Sequence, residues 1–138
     1  MKIFYSSGSD PMLLDSVEGL NSLHKSLNEF IESGSRLKRF EAVRTGSPEP
    51  YQTFLPYFEV EVNDGPVKVE FGNENGLRLI GNRELLEKCI KAFRFKENED
   101  GQHHHPIDFL GNDNVAPGTL GLIVEADDYY INEYQNER

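Results

Sequence analysis

The stretch Lys68 to Leu86, KVEFGNENGLRLIGNRELL, lies without a gap over Lys2 to Leu20, KIFYSSGSDPMLLDSVEGL. Both run from alternating apolar residues through a turn rich in Gly, Asn, Ser and Asp into a second short apolar run, a capping residue and a helix start. Such self-similarity constrains the fold more than any local pattern, because each copy must be one supersecondary unit. Only Lys2/Lys68, Leu13/Leu79, Glu18/Glu84 and Leu20/Leu86 are identical. What repeats is therefore the physical pattern.

In the first copy Lys2 to Tyr5 alternates as a strand does, Ser6 to Asp10 turns, and Met12 to Leu14 returns. Ser16 stands where an N-cap belongs, its hydroxyl able to accept from the amides of a first turn. Val17, Leu20, Leu23/His24, Leu27 and Phe30/Ile31 follow at helical spacing, and Ser33-Gly34 closes the helix. His24 falls at the edge of that apolar stripe. Leu37 to Val43 reads as a basic strand that faces solvent or opposes the acidic C-terminal part. TGSPEP, 45 to 50, cannot hold regular structure. Phe58, Val60 and Val62 form a half-buried strand whose outer face carries Glu59 and Glu61.

Asn63-Asp64-Gly65 is a hairpin signal that joins the two copies and places them in a shared sheet. The second copy then repeats the order. Val67, Val69 and Phe71 alternate; Gly72 to Gly76 turns; Leu77, Leu79 and Ile80 return; Asn82 takes the capping position. Leu85/Leu86, Cys89/Ile90 and Phe93 line a helix that ends in the polar loop Glu97 to Gly101. His103 to Leu110 and Leu120 to Ala126 supply the last strands. The expected fold is α+β: two β-β-α-β-β repeats, 1–64 and 65–126, in one domain spanning 1–138. The sheet is mostly antiparallel with two helices on a face, and an acidic, Tyr-rich tail occupies 127–138.

At 138 residues with 37% hydrophobic content the chain can bury a core without disulfide or metal. The single cysteine, Cys89, excludes an internal disulfide and fits a reducing compartment. With no long apolar run in the sequence, the expectation is a cytoplasmic protein with no membrane partner. A net charge of −10 disfavours nucleic acid. From Glu99 onward the only basic residue is Arg138, against nine acids. That asymmetry serves solubility or presents an acidic face to a basic partner.

The most conspicuous local feature is His103-His104-His105. On a strand His103 and His105 share a side, and Asp108 could add an oxygen ligand, the basis of an alternative reading as a small metal-dependent enzyme. Three adjacent ligands do not make a site, and the chain's other His and its Cys fall on helix faces. Cys89 sits in an apolar stripe, where a thiol packs. Phe71 to Gly76 lacks the spacing of a phosphate-binding loop, and the acidic loops lack that of a calcium site. No cofactor is expected. In the tail, Asp127 and Asp128 stand beside Tyr129, Tyr130 and Tyr134, a composition that either covers the core as a helical turn or serves protein binding. Function is expected where the copies differ: at His103, His105 and Asp108, and in that tail.

The second half resembles small bacterial immunity proteins that neutralise polymorphic or contact-dependent toxins, most closely the group numbered thirty-two. The resemblance rests on three segments: Gly81-Asn82-Arg83-Glu84-Leu85-Leu86 at the helix entry, the histidine strand His103 to Asp108, and the closing Leu120-Gly121-Leu122-Ile123-Val124-Glu125. It covers about half the chain; in the first half Arg39-Phe40-Glu41 takes the place of the histidines. It implies a non-enzymatic inhibitor that binds a cognate toxin of the same bacterium. The acidic charge suits a basic toxin. A generic interaction or assembly module is the remaining alternative, and the sequence leaves the oligomeric state open.

Overall fold

The structure is a computed structural model that describes residues 1–128. Tyr129, Tyr130 and Tyr134 lie outside the described residues. Local signals set most element boundaries. Strand β1 (Lys2–Tyr5) turns into β2 (Met12–Asp15), with Leu13 opposite Ile3. Helix α1 (Val17–Glu32) starts at Ser16, whose Oγ accepts from Gly19 N–H at 3.0 Å, and it ends before Gly34 at φ +79°. Then follow β3 (Leu37–Glu41), β4 (Thr53–Phe54), β5 (Tyr57–Val62), β6 (Lys68–Phe71) and β7 (Leu77–Gly81). Helix α2 (Arg83–Cys89) is capped by Asn82, whose Oδ1 accepts from Leu85 N–H at 3.0 Å, and it continues as a 3₁₀ turn over Ile90–Phe93. Strands β8 (His103–His104) and β9 (Ile123–Ala126) complete the order.

The strands form two sheets, β4-β1-β2-β9-β8 and β3-β5-β7-β6. Each has one parallel pair at its centre. Leu13 of β2 lies opposite Val124 of β9, and Val60 of β5 lies opposite Leu79 of β7; the other neighbours are antiparallel. The fold is thus α+β and mostly antiparallel, but in two mixed sheets rather than one.

Asn63-Asp64-Gly65 closes no hairpin, because β7 lies between β5 and β6. Asn63 N–H donates to Gly81 O at 2.9 Å, and Gly65 O accepts from Asn82 N–H and Asn82 Nδ2, each at 3.1 Å. The turn therefore docks on the end of β7 instead of zipping its flanking strands together. The strand expected over 103–110 is also cut short. Pro106 cannot donate to a ladder, and from it the chain turns into a 3₁₀ helix, Pro106–Phe109.

Both sheets and both helices feed one buried cluster, including Leu13 and Val124, Val60 and Leu79, Leu20, Leu27, Leu86 and Phe93. On the other face of the first sheet Phe4, Met12 and Leu14 make a smaller cluster with Tyr51, Phe54 and Ile123. The Gly/Pro-rich loop before β4 lies against that side: Lys2 Nζ donates to Thr45 O at 2.7 Å, and the rings of Phe4 and Tyr51 are 5.2 Å apart. No helix of the described residues is long and apolar enough to cross a membrane.

Candidate functional site

The histidine strand lies at an edge of the first sheet, where β8 pairs with β9 and His103 faces Glu125. Alternation separates the three imidazoles. His104 turns inward, its ring stacked on Phe95 with centroids 4.0 Å apart. Its Nδ1 lies 2.9 Å from Ala92 O, which can only accept, so Nδ1 carries the proton; Nε2 faces Glu99 at 3.3 Å. His103 and His105 stay together, rings edge to face at 5.2 Å. Asp108 sits exposed on the following 3₁₀ helix. Among the described residues no group of three His, Cys, Asp or Glu is placed to hold a metal ion.

The end of β9 is stitched to the loop before β8. Gly101 N–H donates to Ala126 O at 2.7 Å, Ala126 N–H to Gln102 O at 3.0 Å, and Asp128 N–H to Asp100 Oδ1 at 2.7 Å. This brings Asp128 to the first turn of α1, where its Oδ1 accepts from Val17 N–H at 2.8 Å. A carboxylate there satisfies an orphan amide and meets the positive end of the helix. Asp128, expected to face a partner, is therefore engaged within its own chain. Asp127 also hydrogen-bonds through its backbone, donating to Asp15 O at 3.0 Å.

Around β8 and β9 the charge is one-sided. Glu97, Asp100, Asp108, Asp113 and Glu125 form no ion pair with Lys or Arg among the described residues, and Glu99 pairs with His104 while accepting from Lys96 N–H. Burial and the charge of Asp127 push the Glu125 carboxyl up, with His103 opposing. A hydrogen bond from Lys96 N–H holds Glu99 below the usual range; burial opposes it, and the contact with His104 and the charge of Lys96 add to the lowering. On the 3₁₀ helix that carries Asp108, Phe109 is 43% exposed.

The second sheet is arranged differently. The acids of its strands β5 and β6 are matched: Arg78 reaches Glu59 at 2.9 Å, Glu61 at 3.0 Å and Glu70 at 3.4 Å, while Arg39 reaches Glu59 at 3.2 Å and lies over the Tyr57 ring; Glu41, on the edge strand β3, is exposed. Burial alone would lower the Arg78 pKa, but Glu61, Glu59 and Glu70 outweigh it and raise it. The basic strand β3 thus opposes β5, not the acidic C-terminal part. Sequence alternation marks Arg78 as pointing away from Leu77 and Leu79, but its partners depend on strand order, which no local pattern encodes.

The remaining reactive side chains belong to the interior or its margin. Cys89 is buried, and burial pushes its thiol up to about 12, far from a nucleophile's range. His24 is half-buried beside Asn28, and burial together with Arg94 lowers its pKa. Compared with known proteins, the chain matches no family model, no curated protein and no solved structure.

Proposed function

We propose that the chain is an immunity protein: a cytoplasmic inhibitor, with no catalysis of its own, that neutralises a cognate basic bacterial toxin by protein–protein contact. The observation that carries this reading is that Glu97, Asp100, Asp108, Asp113 and Glu125 have no Lys or Arg ion pair among the described residues, whereas Glu59, Glu61 and Glu70 share Arg78. Carboxylates without internal counterions project a field that steers a cationic partner and raises its rate of encounter. His103, His105, Asp108 and Asp127 lie at that surface, and Tyr129, Tyr130 and Tyr134 follow directly in sequence. Asp128 contributes indirectly by fixing this end of the chain to α1.

The same reading takes the chain as one domain of two β-β-α-β-β repeats. In its support, Ser16 and Asn82 cap equivalent helices. The pairings β2 with β9 and β7 with β5 also join equivalent strands, in both cases parallel.

The test is co-expression with the toxin domain encoded by the adjoining gene. Rescue of growth and a stoichiometric complex support the reading; an active toxin and no complex end it. A deletion from Tyr129 onward spares the Asp128 cap, and is expected to leave a folded protein with weaker binding. Association should slow by about tenfold or more between low and high salt.

A further inference from the structure

Three of the four sheet edges are closed to further pairing. In the first sheet both edge strands, β4 and β8, are two residues long. In the second, β6 is covered by the loop ahead of β9: Val67 N–H donates to Asn114 O at 2.9 Å, Ala116 N–H to Val67 O at 2.8 Å and Leu120 N–H to Val69 O at 2.9 Å. Short or covered edges are how proteins avoid edge-to-edge association.

The fourth edge, β3, is open over Leu37–Glu41, and only beyond it does Val43 N–H donate to Met1 O, at 2.8 Å. Its five residues are exposed except Phe40, and Leu37 is 53% exposed, the most of any large apolar side chain in the described residues. Val62 N–H donates to Arg36 O and Ala42 N–H to Pro56 O, which fixes the even-numbered residues as those that exchange bonds with β5. The N–H and C=O groups of Leu37, Arg39 and Glu41 are thereby directed at the open edge.

We infer that this edge pairs with β3 of a second copy, antiparallel about a two-fold axis at Phe40, extending the four-stranded sheet across a homodimer. The sequence of the strand selects the occupant and the register. Centring on Lys38, Arg39 or Glu41 sets that residue against its own copy, placing like charges face to face. Centring on Phe40 sets Arg39 opposite Glu41 of the second copy, twice, with the two Phe40 rings opposite each other; Val43, whose N–H already donates to Met1 O, stays outside the paired stretch. A symmetric interface of this kind closes at two subunits. Phe40 is already stacked on Phe58, centroids 6.4 Å apart, and borders a groove of ≈ 690 Å³ lined by Leu23 and Phe30 of α1. The second ring extends that apolar edge.

Sedimentation equilibrium on the full chain tests this. The unmutated chain is expected to dimerise reversibly. Glu41→Arg, at an exposed position, replaces both attractive pairs with repulsive ones and should weaken self-association by about tenfold or more. Arg39→Glu should do the same. An equimolar mixture of the two variants restores two opposite-charge pairs and should associate better than either alone. Because Arg39→Glu also faces Glu59, hydrogen exchange on the unmutated chain gives an independent reading: the Arg39 and Glu41 amides should slow as concentration rises. A monomer up to about millimolar concentration, a Glu41→Arg dimer as tight as the unmutated one, or amide exchange independent of concentration overturns the inference.

Discussion

The imidazole of His104 lies flat on the ring of Phe95, the two planes 9° from parallel, while its Nδ1–H holds the carbonyl that ends the turn after α2. His104 is thus tied to the core margin, whereas His103 is exposed. His104→Ala should cost about 2 kcal/mol, the sum of a ring contact and a hydrogen bond. His104→Phe keeps the ring and should cost about 1 kcal/mol. Urea denaturation separates them; equal losses would mean that the stacking contributes nothing.

Arg78 is the cation that three carboxylates share. Glu59, only 7% exposed, depends on it most. Arg78→Met leaves Glu59 with Arg39 alone and is expected to cost about 2 to 4 kcal/mol. Arg78→Lys keeps the charge without the planar fork and should fall between Met and the unmutated chain in chemical denaturation.

At Gly76 a side chain has no room. A Cβ built there meets the Tyr57 ring, although the backbone itself, at φ −66°, would accept any residue. Gly76→Ala should therefore cost about 1 to 3 kcal/mol through overpacking alone. Combined with Tyr57→Ala, the loss should fall short of the sum of the two single losses by about 1 kcal/mol. An additive pair would place the strain elsewhere.

How much of this could be read from the chain depends on how local each interaction is. The caps Ser16 and Asn82 were legible because donor and acceptor lie three residues apart. Asn63-Asp64-Gly65 misled because its turn chemistry is local, whereas the strand that displaces the hairpin arrives later, as Leu77–Gly81. At His103 the strand lasts two residues, because Pro106, which has no N–H to donate, turns the chain into a 3₁₀ helix. Thr53–Phe54 is too short to show a period, and the bond from Val17 to Asp128 spans nearly the whole described chain.

Glu125 tests the electrostatics of the acidic surface. A carboxyl whose pKa is raised on folding, from an ordinary value of 4.5, contributes stability that is present at low pH. That stability is lost as pH rises through the folded value. Glu125→Gln removes the penalty, so thermal melting should show a higher midpoint at pH 7 and no difference at about pH 3. A lower midpoint at pH 7 would contradict the raised value.

The two central parallel pairs have a consequence for the order in which the protein is made. During synthesis β1 and β2 emerge first, yet the strand that completes their sheet, Ile123–Ala126, comes last among the described elements. Likewise β5 waits for β7. A nascent chain cut at residue 64 has a hairpin without its central neighbour and an edge pair without its sheet. Loop closure across so many residues must precede any reward from pairing, which places folding in the slow, topology-limited range. On this topology neither sheet can complete its central pair until β7 and β9 have been made, so the native pairing is expected to form late.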